Sequence, residues 1–269
     1  MTELEPIQCD KIWGYERWIA STHKDGCQKK FLEAVGGDYP LLIKVIQADT
    51  PLSVQVHPDD DFAARFEGGR GKTECWYVLS AVPGAKLVYG LNGTYTPAQI
   101  EEAARGGKLE PLLNFVDVRA GDFIYIPAGT VHAIGGGMRL METQQSSNIT
   151  YRLYDWNRGR ELHVEKAAAV VKNDELLPVK QFPGSFDCKY FSMKEISVNG
   201  TYEYAAPAGE KRTPESWTLL YVIEAEGASF AQGPKSVSMA AEKIYAVAPS
   251  EKVNFFGKCR LMEIRAKSE

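Results

Sequence analysis

Four possible metal ligands lie on or beside short segments that predict β-strands: Gln55, His57, Glu74 and His132. The first two fall in a stretch of alternating polar and apolar residues, 53–57, so their side chains are predicted to project from one face of a strand. Glu74 begins a run of aromatic and β-branched residues that predicts a second strand. These positions constrain the fold, because residues so far apart in the chain share one ion only if their strands pack around a common interior.

The segment before His132 is rich in turn-forming residues. Residues 122–126 predict a strand, Pro127 and Gly129 predict a turn, and the chain then resumes an extended course. We therefore expect the His132 side chain to point inward, toward the other three.

The donor atoms of this set indicate a divalent transition metal. Two imidazole nitrogens and two oxygens suit Zn²⁺, with Mn²⁺, Fe²⁺, Co²⁺ or Ni²⁺ as alternatives. With Glu74 as the only anionic ligand, the site would keep a net charge of about +1, which favours an anionic or enediolate-like ligand at an open coordination position. The alternative interpretation is two separate buried histidines and a solvent-facing Glu74.

Three polar residues near these ligands are candidate substrate or catalytic groups. Ser53 shares strand parity with Gln55 and His57, so it can face the same cavity. Lys72, two residues before Glu74, is either an anion clamp, a proton shuttle or a solvated loop lysine. Lys44 interrupts an apolar run, so its charged amine must reach water or a binding partner. A phosphate group is one such partner.

Two further charged residues stand among apolar neighbours. Glu142 follows residues 138–141, and it lies either on the solvent face of a strand or in the cavity as a general base. Arg152 is a fixed positive charge that can hold a phosphate or stabilise a developing oxyanion.

The segment around His132 resembles the second motif of the cupin superfamily, through Gly121, Pro127, Gly129 and His132. The first cupin motif is matched more loosely. Gln55 stands where a histidine is common, an acidic insert separates His57 from Glu74, and Gly136 replaces an asparagine that often follows the second histidine.

Within that superfamily the chain resembles the type I phosphomannose isomerases, in their short bacterial form, up to about residue 163. The matching segments occur in the family's order: KIWG from Lys11, PLLIKVIQADTPLSVQVHPDD, GKTE, IPAGTVHAIGGG and METQQSSNITYRLYDW. The resemblance implies isomerisation of mannose 6-phosphate to and from fructose 6-phosphate. The donor atoms favour Zn²⁺, one per chain, as the cofactor. The resemblance also makes Arg152 catalytic and Glu142 a nearby acid, whereas Asn148 stands where the family often has an aspartate.

The second half repeats the first in weakened form. Residues 220–225 resemble 76–81, and residues 259–263 resemble 138–142. No histidine follows His163, so the second half lacks the means to rebuild the site. The sequence therefore predicts a mainly β fold with a few short helices, arranged as two cupin-like (jelly-roll) β-barrel or sandwich domains. These are a metal-binding catalytic domain, residues 1–163, and a linking helix with a degenerate domain, residues 164–269.

Charge and cysteine usage limit the partners. A net charge of −4 argues against nucleic-acid binding. No apolar run is long enough to span a membrane, and the five scattered cysteines lack metal-site spacing, so we expect a cytoplasmic protein with reduced thiols. A small-molecule sugar phosphate is the expected partner, and the chain is expected to be a monomer or a homodimer.

Two other classes of function share these residues. A cupin dioxygenase would use redox iron and reserve coordination positions for O₂. A non-catalytic cupin would bind a sugar phosphate without converting it.

Overall fold

Antiparallel strands form most of the regular secondary structure in this computed structural model, which describes residues 1–267. The chain folds into two compact units. One unit comprises residues 1–7, 17–44 and the described residues from Pro183 onward, and the other comprises residues 8–16 and 45–182. The predicted mainly β class is confirmed.

Four short helices and nineteen strands are described. The helices are α1 Lys29–Val35, α2 Asp60–Phe66, α3 Pro97–Arg105 and α4 Val164–Val170. The strands up to residue 126 are β1 Thr2–Glu3, β2 Ile7–Lys11, β3 Gly14–Ala20, β4 Leu41–Ala48, β5 Val54–Val56, β6 Glu74–Ala81, β7 Lys86–Leu91, β8 Leu113–Asp117 and β9 Asp122–Ile126. The later strands are β10 His132–Ala133, β11 Met138–Gln145, β12 Tyr151–Tyr154, β13 Lys180–Gln181, β14 Ser185–Asp187, β15 Phe191–Ala205, β16 Thr218–Gln232, β17 Lys235–Ser238, β18 Ile244–Val247 and β19 Lys252–Ala266.

The strands that carry the predicted ligands belong to two sheets. A five-stranded sheet has the order β12-β5-β10-β7-β8, and a seven-stranded sheet has the order β13-β9-β6-β11-β4-β3-β2. A shared core joins their inner faces, with Trp76 and Leu140 from the second sheet packed in one cluster with Leu87 and Tyr89 from the first. Because alternate residues of each strand face this core, polar residues placed on the same parity become buried.

The sheets are open. In the part of the chain that the structure describes, each of these two sheets has two terminal strands, and no sheet closes into a barrel. Of the predicted forms, barrel or sandwich, the packed open sheets of the sandwich are the ones observed.

Local sequence signals account for the helices. Thr96 caps α3 in a reciprocal capping box with Gln99, and Pro97 occupies the first turn, where its missing N–H is not needed. The Asp59 side chain accepts a hydrogen bond from the Phe62 N–H and so begins α2. The observed α4, Val164–Val170, lies at the start of the segment predicted to contain the linking helix.

The repeat predicted from the sequence has a counterpart in the strand register. In one unit β6 pairs with β11, and Trp76 lies opposite Glu142. In the other β16 pairs with β19, and Leu220, the residue aligned with Trp76, lies opposite Glu263, the residue aligned with Glu142. Both units therefore pair the similar segments in the same register.

The compact units do not follow the predicted boundary. Strand β1 pairs with β18, so the first residues of the chain belong with the second half, while α4 belongs with the preceding strands. The functional division into residues 1–163 and 164–269 stays a prediction. Among the described helices, none combines the length and the apolar character that a membrane span requires.

Candidate metal centre

Two histidines and one glutamate converge in the interior of the second unit. His57, Glu74 and His132 are each at most 1% exposed, and one ligand atom from each lies within 4.8 Å of the others. The Glu74 carboxylate is between the imidazoles, with Oε2 3.6 Å from His57 Nε2 and Oε1 3.4 Å from His132 Nε2. The alternative interpretation, with separate core histidines and a solvent-facing glutamate, is wrong.

The two distances from the Glu74 carboxylate oxygens to the histidine Nε2 atoms, 3.4 and 3.6 Å, fit neighbouring ligands of one metal ion. Tetrahedral ligands about 2.0–2.2 Å from Zn²⁺ lie roughly 3.3–3.6 Å from one another. The His132 Nε2 atom is buried and makes no hydrogen bond with the described residues. A buried ring nitrogen in that state costs free energy unless something binds it, so the geometry and the polarity both suit a cation.

Backbone contacts fix the tautomer of each histidine. The Nδ1 atom of His57 lies 2.8 Å from the Ile149 carbonyl oxygen, and the Nδ1 atom of His132 lies 2.8 Å from that of Thr130. A carbonyl oxygen only accepts, so each Nδ1 must carry the hydrogen and each neutral ring keeps its lone pair on Nε2. This is the arrangement that orients histidines toward a metal.

Burial also keeps His132 neutral. Desolvation lowers the pKa of this imidazole to about 4, well below its usual value of 6.5. The ring is therefore ready to ligate a metal at neutral pH without first losing a proton.

A buried lysine accompanies the carboxylate. Lys72 is only 5% exposed, and its Nζ lies 3.0 Å from Glu74 Oε2. The suggestion of a solvated loop lysine is therefore wrong. A charge-assisted contact of this length supports the ionised carboxylate that a metal would need.

Gln55 and Arg152 share one face of the five-stranded sheet with His132. In β5, Gln55 lies directly opposite His132 of β10 on one side and Arg152 of β12 on the other. Directly opposed residues of antiparallel strands project to the same face, so the three side chains form a row. The predicted neighbours of the metal are thus brought together by strand pairing.

Glu142 is held by an aromatic donor. Its side chain is 3% exposed, and its Oε2 atom accepts a hydrogen bond of 2.9 Å from Trp76 Nε1. The Trp76 ring in turn lies edge-on to the His132 ring, with centroids 5.5 Å apart. Of the two placements considered for Glu142, the buried one is observed.

The remaining candidates have different settings. Ser53 is buried just before β5, two residues from Gln55. Lys44 belongs to the first unit, where it is 3% exposed with its Nζ 5.3 Å from the centroid of the Trp18 ring. Asn148 is exposed. Substrate contacts by Ser53 and Lys44 stay predictions.

Sequence reasoning missed a glutamine that supports Lys72 and Glu74. The Gln145 side chain accepts a hydrogen bond from the Thr73 N–H at 2.8 Å and donates one to Asp60 Oδ1 at 2.9 Å. Its backbone N–H donates to the Thr73 carbonyl as well. Gln145 therefore fixes the backbone between the lysine and the glutamate. No local pattern points to it, because the contact joins residues 72 positions apart.

We expect Gln145→Ala to lower both stability and metal affinity. It leaves the buried Thr73 N–H without its side-chain acceptor, which costs about 1–3 kcal/mol of unfolding free energy. Losing a residue that orients a ligand segment should weaken metal binding by about 10–100-fold. Chemical unfolding and a metal titration monitored by calorimetry measure the two effects. The matched control is Ser146→Ala, and equal results for both variants would contradict the assignment.

The fold and the site together define a class: a mainly β protein whose packed sheets enclose a His-Glu-His group able to hold a metal ion. Residues 9–73 match the family model of the type I phosphomannose isomerase catalytic domain. The chain is 35% identical to putative mannose-6-phosphate isomerase YvyI of Bacillus subtilis, over 83% of this chain and 85% of that protein. The chain belongs to the type I phosphomannose isomerase family.

Two other comparisons agree with that membership. Mannose-6-phosphate isomerase ManA of Bacillus subtilis is 37% identical over 73% of this chain, and the match spans 65% of ManA's own length. The crystal structure of a mannose 6-phosphate isomerase from Bacillus subtilis superposes with a TM-score of 0.84 at 26% identity, covering 98% of this chain and 99% of the other.

Proposed function

We propose that this protein is a metal-dependent aldose-ketose isomerase that interconverts mannose 6-phosphate and fructose 6-phosphate through an enediol. Membership of the isomerase family supports the substrate. The observation that carries the proposal is the buried His57–Glu74–His132 group, with Arg152 in the same cross-strand row as one of its histidines.

The ion we propose is Zn²⁺, one per chain, held by His57, Glu74, His132 and Gln55. Two imidazoles, a carboxylate and an amide oxygen suit a borderline divalent ion. When bound, such an ion polarises substrate oxygens and stabilises negative charge as it develops on them. The amide of Gln55 adds no charge, so the centre remains cationic toward an anionic substrate.

Three side chains of the protein, those of Glu142, Lys72 and Arg152, have distinct roles in the proposed isomerisation. The reaction moves a proton between C2 and C1, and either Glu142 or Lys72 transfers it. Trp76 orients the Glu142 carboxylate, and Lys72 is oriented by Glu74. The Arg152 guanidinium stabilises the developing oxyanion or grips the phosphate.

Arg152 remains positively charged for that role. Burial and the neighbouring Arg160 lower the pKa of its guanidinium. An arginine starts so far above neutral pH that it stays protonated even so. Ser53 and Lys44 complete the proposal as substrate contacts. The proposed partner is a small sugar phosphate, bound by a monomer or a homodimer in the cytoplasm, with no role for nucleic acid or a membrane.

A coupled assay tests this function against its rivals. Fructose 6-phosphate formed from mannose 6-phosphate is measured with the purified protein, after chelation, and after Zn²⁺ is restored. We expect turnover that chelation abolishes and metal restores. Binding without conversion would indicate a non-catalytic sugar-phosphate-binding protein, and O₂ consumption with Fe²⁺ would indicate a dioxygenase. Either result overturns the proposal.

A further inference from the structure

The backbone of Arg152 lies at an irregular point of an edge strand. Strand β12 is the terminal strand of its sheet, and its pairing with β5 shifts register between Arg152 and Tyr154. A bulge of this kind redirects side chains and leaves backbone groups that the neighbouring strand does not pair. The direction of the Arg152 side chain therefore depends on what holds its backbone from the other side.

One residue, His163, bonds both backbone groups of Arg152. The Arg152 N–H donates to His163 Nδ1 at 3.1 Å, and the His163 N–H donates to the Arg152 carbonyl at 2.8 Å. A backbone N–H only donates, so His163 Nδ1 must be unprotonated to accept it. The imidazole thus takes the place of the carbonyl that a further strand would supply.

The same short segment also contacts the guanidinium. Arg152 Nη1 donates to the Glu161 carbonyl oxygen at 2.7 Å. Directly after His163, helix α4 buries Val164 and packs in one core cluster with Leu153 of β12. The segment that holds Arg152 at three points is therefore itself anchored in the core.

The requirements of the helix do not explain a histidine at this position. His163 precedes the first residue of α4, where Ser, Thr, Asp and Asn are preferred because their side chains cap the helix N–H groups. The His163 side chain makes no capping hydrogen bond. Its Nδ1 atom instead accepts the hydrogen bond from the backbone N–H of Arg152, eleven residues earlier in the chain.

We infer that His163 is a positioning residue for Arg152, holding the bulged backbone so that the arginine side chain stays on the face of the sheet that Gln55 and His132 share. The inference rests on the proposed function of Arg152. Misplacing a catalytic group by about 1 Å can cost on the order of 100-fold in rate. An asparagine at position 163 can accept the same hydrogen bond through Oδ1, whereas an alanine cannot.

The kinetic test compares His163→Ala, His163→Asn and the exposed neighbour Leu162→Ala. We expect His163→Ala to lower kcat at least about tenfold with a smaller change in KM, because a misplaced Arg152 guanidinium stabilises the transition state less well. His163→Asn should recover most of the loss, and Leu162→Ala should match the wild type. If His163→Ala retains wild-type kcat, or if asparagine gives no recovery, the inference is overturned.

A double-mutant cycle with Arg152→Ala separates positioning from general damage to the fold. In the Arg152→Ala background there is no guanidinium for His163 to position, so His163→Ala should cause little further loss of kcat. Equal losses in both backgrounds would overturn the inference.

Hydrogen exchange of the Arg152 amide tests the contact without any enzyme assay. Protection should be lost in His163→Ala and kept in His163→Asn. Unchanged protection in His163→Ala overturns the inference even if the isomerase assay succeeds. A wild type inactive on mannose 6-phosphate would refute the proposed function, while the exchange data would still decide whether His163 holds this backbone.

Discussion

Replacing Arg152 with alanine is expected to lower kcat by roughly 10²–10³-fold, the range that follows removal of one preorganised donor to a developing oxyanion. The guanidinium is half-buried and fixed by the Glu161 carbonyl, so it does not need to reorganise as charge develops. If the Arg152 guanidinium acts on the transition state, KM should change less than kcat. If it binds the phosphate, KM should rise as kcat falls. Steady-state kinetics of mannose 6-phosphate conversion measure both.

Arg105 provides the matched control for that experiment. It is an exposed arginine on α3 that pairs with the exposed Glu165 at 2.8 Å. An ion pair in that setting contributes about 0–1 kcal/mol to stability. Arg105→Ala should therefore leave kcat and metal content unchanged. Full turnover by Arg152→Ala would remove Arg152 from the mechanism.

The residues that the sequence located well are those whose position follows from strand parity. Alternation fixes which residues share a face, and it predicted that Gln55 would face the interior beside the ligands. Glu74 begins β6 where the aromatic and β-branched run suggested, and the strand before the Pro127 turn is observed over residues 122–126. These features depend on neighbours within a few residues, which a single sequence contains.

What the sequence did not locate depends on contacts between distant segments. The hydrogen bonds of Gln145 with Thr73 and Asp60 form only because β6 pairs with β11. The hydrogen bonds between His163 and the Arg152 backbone form only because β12 is a terminal strand. Strand β1 completes a sheet with β18, more than 240 residues later, so the compact units combine separate parts of the chain. Periodicity within a segment carries no information on such partners, which is why the sequence suggested candidate ligands but not the residues that hold them in place.

The hydrogen bonds around the candidate metal ligands determine which substitution tests them best. Alanine at His57 or His132 would also leave the carbonyl oxygen of Ile149 or Thr130 without its hydrogen-bond donor. The variant would then combine a loss of stability with the loss of a candidate ligand. Glu74→Gln keeps the volume of the side chain and removes the negative charge, which both the metal and Lys72 require. Measuring stability alongside metal content separates these two consequences.

Glu74→Gln is expected to abolish stable metal binding and to lower kcat by at least about 10³-fold, to the level of the chelated wild type. Lys72, 5% exposed, would lose its 3.0 Å carboxylate partner, and breaking a buried ion pair costs about 3–5 kcal/mol of unfolding free energy. Metal content after dialysis, turnover and chemical unfolding measure the three effects. Glu165→Gln, on an exposed glutamate, should change none of them. A Glu74→Gln protein that keeps one tightly bound metal ion and full turnover would show that the centre lies elsewhere.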